Sequence, residues 1–179
     1  MPAGGKARWG WHRLADQWAR RLVADADVRP GDLVLDVGAG TGAVTAPLAE
    51  TGAQVIAVEL HPGRAAVLRR RFAGAPNVTV VRADARDLRL PRRPFRVVAS
   101  PPYAVTSPLL RRLLARGSRL VAADLVLQQA AAARWAAGRA PGAGRWLAEF
   151  DLDVGRRIPR AAFSPPPAVD NTTLIVRRR

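Results

Sequence analysis

The chain has 179 residues, enough for one domain with a sizeable core, and contains no cysteine, which excludes a disulfide scaffold and a thiolate metal site. Its 29 basic residues against 14 acidic ones give a net charge of +15, and every basic residue except Lys6 is an arginine. No apolar run approaches the ~20 residues of a membrane span, and no apolar segment opens the chain as a secretory signal would, so no membrane partner and a cytoplasmic location are expected.

Arginine grips phosphate through paired N–H donors and stacks on bases, so the charge points to a nucleic-acid partner. A GC-rich coding sequence accounts for arginine over lysine but not for the twofold excess over acids. In chain order, residues 1–9 read as a flexible basic arm and 10–179 as one domain. Trp9 to Val28 reads as mostly helical, with Leu14, Trp18, Leu22 and Val23 at helical spacing, and stops before the turn Arg29-Pro30-Gly31. Leu33–Val37 is a buried-strand run, followed by a helix over 43–50. Strands over 55–58, 78–81 and 95–99 follow, with helices over 62–72 and 108–115 and a fifth apolar run over 120–127. Residues 137–144 (AGRAPGAG) read as a mobile loop. Residues 146–154 and 172–176 read as two strands without a helix between, an antiparallel pair at a sheet edge, with the stiff stretch Phe163-Ser164-Pro165-Pro166-Pro167 between them. Apolar strands alternating with amphipathic helices predict a mainly parallel α/β sheet with helices on both faces.

Four motifs carry chemistry. Asp36-Val37-Gly38-Ala39-Gly40-Thr41-Gly42 follows the first long strand and opens a helix, where glycines let backbone approach a ligand. Gly38, Gly40 and Ala43 also satisfy a dinucleotide pattern. However, a carboxylate at Asp36 would repel a pyrophosphate and would bind an ammonium group such as that of S-adenosylmethionine. Glu59 ends the second strand, where a carboxylate accepts both ribose hydroxyls of an adenosine. Asp84 ends the third strand, either to accept from an adenine amine or to pair with Arg86. Ser100-Pro101-Pro102-Tyr103 follows the fourth. A side-chain oxygen at Ser100 and the Pro101 carbonyl could accept the two N–H bonds of an exocyclic amine, whose lone pair is otherwise delocalised, and Tyr103 could stack on a flipped base.

In this order the motifs resemble class I S-adenosylmethionine-dependent methyltransferases, and more closely the rRNA adenine N6-methyltransferases of the Erm and KsgA family. Gly10-Trp11-His12-Arg13-Leu14-Ala15-Asp16 is similar to that family's G-Q-[NH]-F-L-x-D. Ser100 to Tyr103 stands where the family has N-[LIP]-P-[YF]. Phe163 to Asp170 is similar to F-x-P-x-P-x-V-x-S. The resemblance implies a Rossmann-like, seven-stranded class I fold. It implies a donor, S-adenosylmethionine, held by His12, Leu14, Asp36, Gly38, Gly40, Gly42, Glu59, Leu60, Asp84, Ala85 and Ser100, with no metal. It implies a target amine held by Ser100 and Pro101 between Tyr103 and Phe163. The implied substrate is an adenine of 23S rRNA, methylated by a monomer to give macrolide-lincosamide-streptogramin resistance. Three departures stand out: Ser100 replaces asparagine, Trp11 and Arg13 replace Gln and Phe, and no C-terminal helical lobe follows. RNA contacts then fall to arginine clusters, with candidates Arg69–Arg71, Arg111–Arg112, Arg156–Arg157 and Arg177–Arg179. Ser-Pro-Pro-Tyr also resembles cytosine-N4 DNA methyltransferases, and Ser100 leaves open a basic RNA-binding protein with a weakened site.

Overall fold

Residues 11–179 are described by a computed structural model. Strand β2 (Leu33–Val37) is five consecutive buried residues that can only sit between two covering layers. In chain order the other elements are β1 (Arg13–Leu14), α1 (Asp16–Asp25), α2 (Thr45–Glu50), β3 (Gln54–Val58), α3 (Pro62–Arg71), β4 (Val78–Val81), β5 (Phe95–Ala99), α4 (Tyr103–Leu113), β6 (Leu120–Gln128), α5 (Gln129–Ala136), β7 (Phe150–Ile158), β8 (Phe163–Ser164) and β9 (Asn171–Arg178). Seven strands form one sheet in the order β4-β3-β2-β5-β6-β9-β7. The first five are mutually parallel, and β9 runs antiparallel to both β6 and β7.

Alternation within the strands builds the two cores. Leu33, Leu35 and Val37, with Phe95, Val97, Leu125 and Leu127, face α4 and α5. Val34, Val98 and Val126 face α1 and α2 on the other side. Residues two apart on a strand share a face, so each strand supplies both layers. Asp36 shares its face with Val34, against α2. A buried polar group therefore sits at the strand's carboxyl end.

The seven-stranded, mainly parallel sheet agrees with the sequence reading, and its differences have identifiable causes. The expected helix from Trp9 begins only at Asp16. Trp9 and the 1–9 arm lie outside the described residues. Within them, Arg13–Leu14 is extended because it pairs with Ser164 and Phe163, and Ala15 N–H donates to the Ala162 carbonyl at 2.8 Å. Helix α4 starts at Tyr103, five residues before the predicted start, and carries Pro108 inside it. The 137–144 segment is a packed turn: Ala140 and Ala143 are buried, and Trp146 stacks on Trp135 at 4.8 Å. Trp146 is thus a core residue, and the strand predicted there begins at Phe150. Helix α5 follows β6 directly and was not foreseen.

Candidate active site

The parallel strands end on one side of the sheet, and the motif residues follow those ends. After β2 the chain turns on Gly38, whose N–H donates to the Val58 carbonyl at 2.8 Å. Gly38 and Gly40 both have positive φ, +75° and +60°. A Cβ on Gly38 would lie 2.6 Å from Pro102 Cδ, and one on Gly40 would lie 2.6 Å from Trp11 Nε1. Backbone conformation and close approach together require glycine at both positions. The turn closes with Gly42 N–H donating to the Ala39 carbonyl at 3.0 Å.

Asp36 is 1% exposed. Its Oδ2 accepts from the Thr45 hydroxyl at 2.6 Å, while Oδ1 is buried with no protein donor. Burial pushes the carboxyl up to about 7, against the Thr45 bond, with the charge of Glu59 adding to the rise. Glu59 is engaged on both oxygens. Oε1 accepts from His61 N–H at 2.8 Å and from Arg64 at 3.1 Å, and Oε2 accepts from Gly40 N–H at 2.9 Å. His61 caps α3, its Nδ1 accepting from Gly63 and Arg64 N–H. Asp84 is held by a two-pronged Arg86 guanidinium at 2.9–3.2 Å, and that hydrogen bonding draws its carboxyl below the usual range. Pairing with Arg86 is thus the arrangement seen.

A cleft of about 580 Å³ brings together His12, Gly38, Glu59, Leu60, Asp84, Ala85 and Tyr103, with Arg64 on its wall. Against it lies a narrow pocket that places Leu14, Asp36, Gly38 and Ser100 beside Trp11 and His12. A third pocket joins Ser100, Pro101, Tyr103 and Phe163. His12 lines all three, and its Nδ1–H donates to the Pro165 carbonyl at 2.7 Å. Gly40 and Gly42 line none of them; they shape the turn. A broader cleft of about 680 Å³ is lined by Gln128, Arg160, Val169 and Asp170 and shares no lining residue with the other three.

Three residues missed by the sequence reading complete the site. Asn171, fully buried at the start of β9, accepts the Tyr103 hydroxyl on Oδ1 at 2.9 Å and donates from Nδ2 to the Val169 carbonyl at 3.2 Å. Burial raises the Tyr103 phenol, which keeps it a donor. Trp11 lies across the glycine turn with the Arg64 guanidinium 5.0 Å from its ring centroid. Arg64 has a buried Nε with no protein acceptor. Only the Trp11 departure offered a signal in the sequence; the Asn171–Tyr103 bond joins residues 68 apart.

The sheet order and the glycine turn at its carboxyl side define a Rossmann-like, class I S-adenosylmethionine-dependent methyltransferase. The chain aligns with the crystal structure of the 23S rRNA methyltransferase ErmE at a TM-score of 0.80 and 32% identity, over 91% of this chain and 68% of that one. A dimethyladenosine transferase from Plasmodium falciparum shares the fold at a TM-score of 0.82 and 24% identity, over 94% of this chain and 64% of that one. Residues 5–179 match the family model for ribosomal RNA adenine dimethylases, and the chain belongs to that family, which contains the Erm and KsgA proteins. It is 36% identical over 172 residues to a probable ribosomal RNA small subunit methyltransferase A of Pyrobaculum islandicum, covering 92% of this chain and 69% of the relative. It is 32% identical over 161 residues to an rRNA adenine N-6-methyltransferase of Bacillus licheniformis (88% and 56%). It is 34% identical over 180 residues to the mycinamicin-resistance protein MyrB of Micromonospora griseorubida (98% and 57%). The chain therefore spans 56% to 69% of the length of these curated relatives.

Proposed function

We propose that this chain transfers a methyl group from S-adenosylmethionine to N6 of an adenine in 23S rRNA, in the cytoplasm, with residues 10–179 acting as the catalytic domain. The observation that carries the reading is the adjacency of a donor cleft and the narrow pocket of Ser100, Pro101, Tyr103 and Phe163, which share His12, Pro102 and Tyr103 as lining. Likeness to ErmE and to a mycinamicin-resistance protein supports the large-subunit substrate and the macrolide-lincosamide-streptogramin resistance that goes with it.

The residues present fit the donor. Asp36 Oδ1 is a buried acceptor lacking a donor, as an incoming ammonium requires. Leu60 and Ala85 supply apolar walls, Asp84 an acceptor and Arg64 a spare donor on the same cleft. Glu59 can take ribose hydroxyls on lone pairs left by Gly40, His61 and Arg64. When bound, the donor supplies an electrophilic methyl, and the rest is orientation. The Ser100 hydroxyl and Pro101 carbonyl, neither bonded within the described residues, accept the two N–H bonds of the target amine. Tyr103 and Phe163 flank the ring. The amine sheds its proton to solvent after methylation, so no strong base is required.

Tritiated donor incubated with protein-depleted 23S rRNA, 16S rRNA and duplex DNA tests the proposal, with primer extension locating the modified base. Incorporation into 23S with a stop at one adenine is expected. Label in 16S would place the chain with its small-subunit relatives, and label in duplex DNA would make it a cytosine-N4 or other DNA enzyme. RNA binding without transfer would mean that Ser100 has disabled the site.

A further inference from the structure

We infer that the cleft at the amino-terminal ends of β5 and β6, opposite the strand ends that carry the motifs, is a second RNA contact, a seat for the phosphodiester backbone of a stem flanking the target base. This rests on the RNA-modifying reading of the site. Residues 88–123 contain eight arginines and neither Asp nor Glu, although the chain has 14 acids in all. Arg96 pairs with Asp32. The other seven, Arg89, Arg92, Arg93, Arg111, Arg112, Arg116 and Arg119, are exposed and form no ion pair with the described residues.

The fold gathers four of them. Arg92 precedes β5, Arg119 precedes β6, and the two segments meet where Phe95 N–H donates to the Arg119 carbonyl at 3.2 Å. Arg112 ends α4 and donates to the Leu88 carbonyl at 2.6 Å. With Arg116 these side chains line a concave cleft of about 500 Å³ that has no carboxylate on its wall. Ser118 on that wall accepts from Arg178, whose guanidinium also holds Glu149. The arginines of the β7–β9 edge are different. Arg156, Arg157, Arg177, Arg178 and Arg179 each pair with an acid, which leaves them little charge for a polyanion.

Helix α4 links this cleft to the methyl-transfer pocket. Tyr103 is its first residue and Arg111–Arg112 lie in its last turn. Its eleven residues span about 16 Å at ~1.5 Å each. That is on the order of five steps of a nucleic-acid helix at ~3.4 Å per step. A base flipped at Tyr103 and a stem backbone on Arg92, Arg116 and Arg119 can thus belong to one RNA.

The test compares the parent with Arg92→Ala/Arg116→Ala/Arg119→Ala and with Arg116→Ala alone, whose site is exposed at a helix end. Filter binding over a salt series is run with a long 23S domain transcript and with a short hairpin lacking the distal stem. Each phosphate contact contributes about 0.7–0.9 to the slope of log K against log salt. For the long RNA the triple variant should lose about two slope units and about tenfold in affinity, and Arg116→Ala about one slope unit. The hairpin should bind both variants like the parent. Unchanged long-RNA affinity and slope, or equal losses on both RNAs, overturns the inference. So does parent binding to phosphatidylglycerol vesicles with none to RNA. Binding needs no methyl transfer, so a parent that binds long RNA through this cleft yet transfers no methyl would sink the proposed reaction and leave this contact standing.

Discussion

Asp36 carries a cost that the fold accepts at one carboxyl. Its raised value means that, from about pH 4 to about pH 7, the unfolded chain has released a proton that the folded chain still holds. Stability therefore falls as pH rises through that window. The full effect is at most about 4 kcal/mol, from ~1.4 kcal/mol per pH unit over about three units. Asp36→Asn removes the buried charge, so without donor its advantage in melting temperature over the parent should be largest at pH 8 and vanish toward pH 4. The same change should abolish donor affinity, because an amide offers an ammonium no counter-charge. Calorimetry with the parent should show donor binding strengthening between pH 5.5 and pH 7, below the range of about 7.7–8.0 where an α-ammonium loses its own proton. Loss of that pH dependence would remove Asp36 from the donor site. At the neighbouring pocket, Tyr103→Ala should raise the transfer barrier by about 1–3 kcal/mol, the worth of a stacked base, as read in single-turnover transfer at saturating donor. Tyr103→Phe and Asn171→Ala remove the same hydrogen bond from opposite ends. Their effects on kcat/KM should therefore be markedly less than additive, and additive losses would separate Asn171 from the clamp.

The turn between β2 and α2 shows what an element requires beyond its residues. Gly40→Ala must force the Trp11 indole aside or distort a backbone already at φ +60°. Melting temperature should drop, and donor affinity should drop with it, because Gly40 N–H is also one of the donors fixing Glu59. A variant that melts lower yet binds donor normally would show that the turn serves only the fold. The strands around this turn were legible in the sequence because parallel strands buried on both faces are short apolar runs with clear breaks, as at Leu33–Val37 and Phe95–Ala99. The motif glycines and acids were legible because each follows a strand end. What escaped reading depends on distant partners. Strands β1 and β8 are two residues each and pair across about 150 residues, too short to leave a periodic signal. Helix α5 is rich in alanine and begins where β6 ends, with no breaker between them. Glu59 could be set at a strand end from position alone, but not its partner Arg64, whereas the Asp84–Arg86 pair, only two residues apart, was legible as one of two readings.

At the scale of the whole molecule, a net charge of +15 says nothing about where free charge lies. The described residues contain ten ion pairs, all with arginine as the cation, and five of them staple the β7–β9 edge. Two of the four arginine clusters proposed for RNA from the sequence, Arg156–Arg157 and Arg177–Arg179, are in this way tied to acids. In a third, Arg71 donates to the Thr41 carbonyl. Arg177 is the sharpest case. Its guanidinium meets both oxygens of Asp124, 2.9 and 3.0 Å away, and the Asp124 side chain is only 3% exposed. Arg177→Met strands that carboxylate in the interior, at a cost of roughly 2–4 kcal/mol, below the value for a fully buried pair because the arginine side chain is 38% exposed. Denaturant unfolding should read the loss directly. At a temperature where the variant is fully folded, its RNA affinity and salt slope should match the parent's, since a cation spent on Asp124 leaves little field for a phosphate. A variant of parental stability with weakened RNA binding would reverse the assignment and return the β7–β9 edge to the RNA-facing surface.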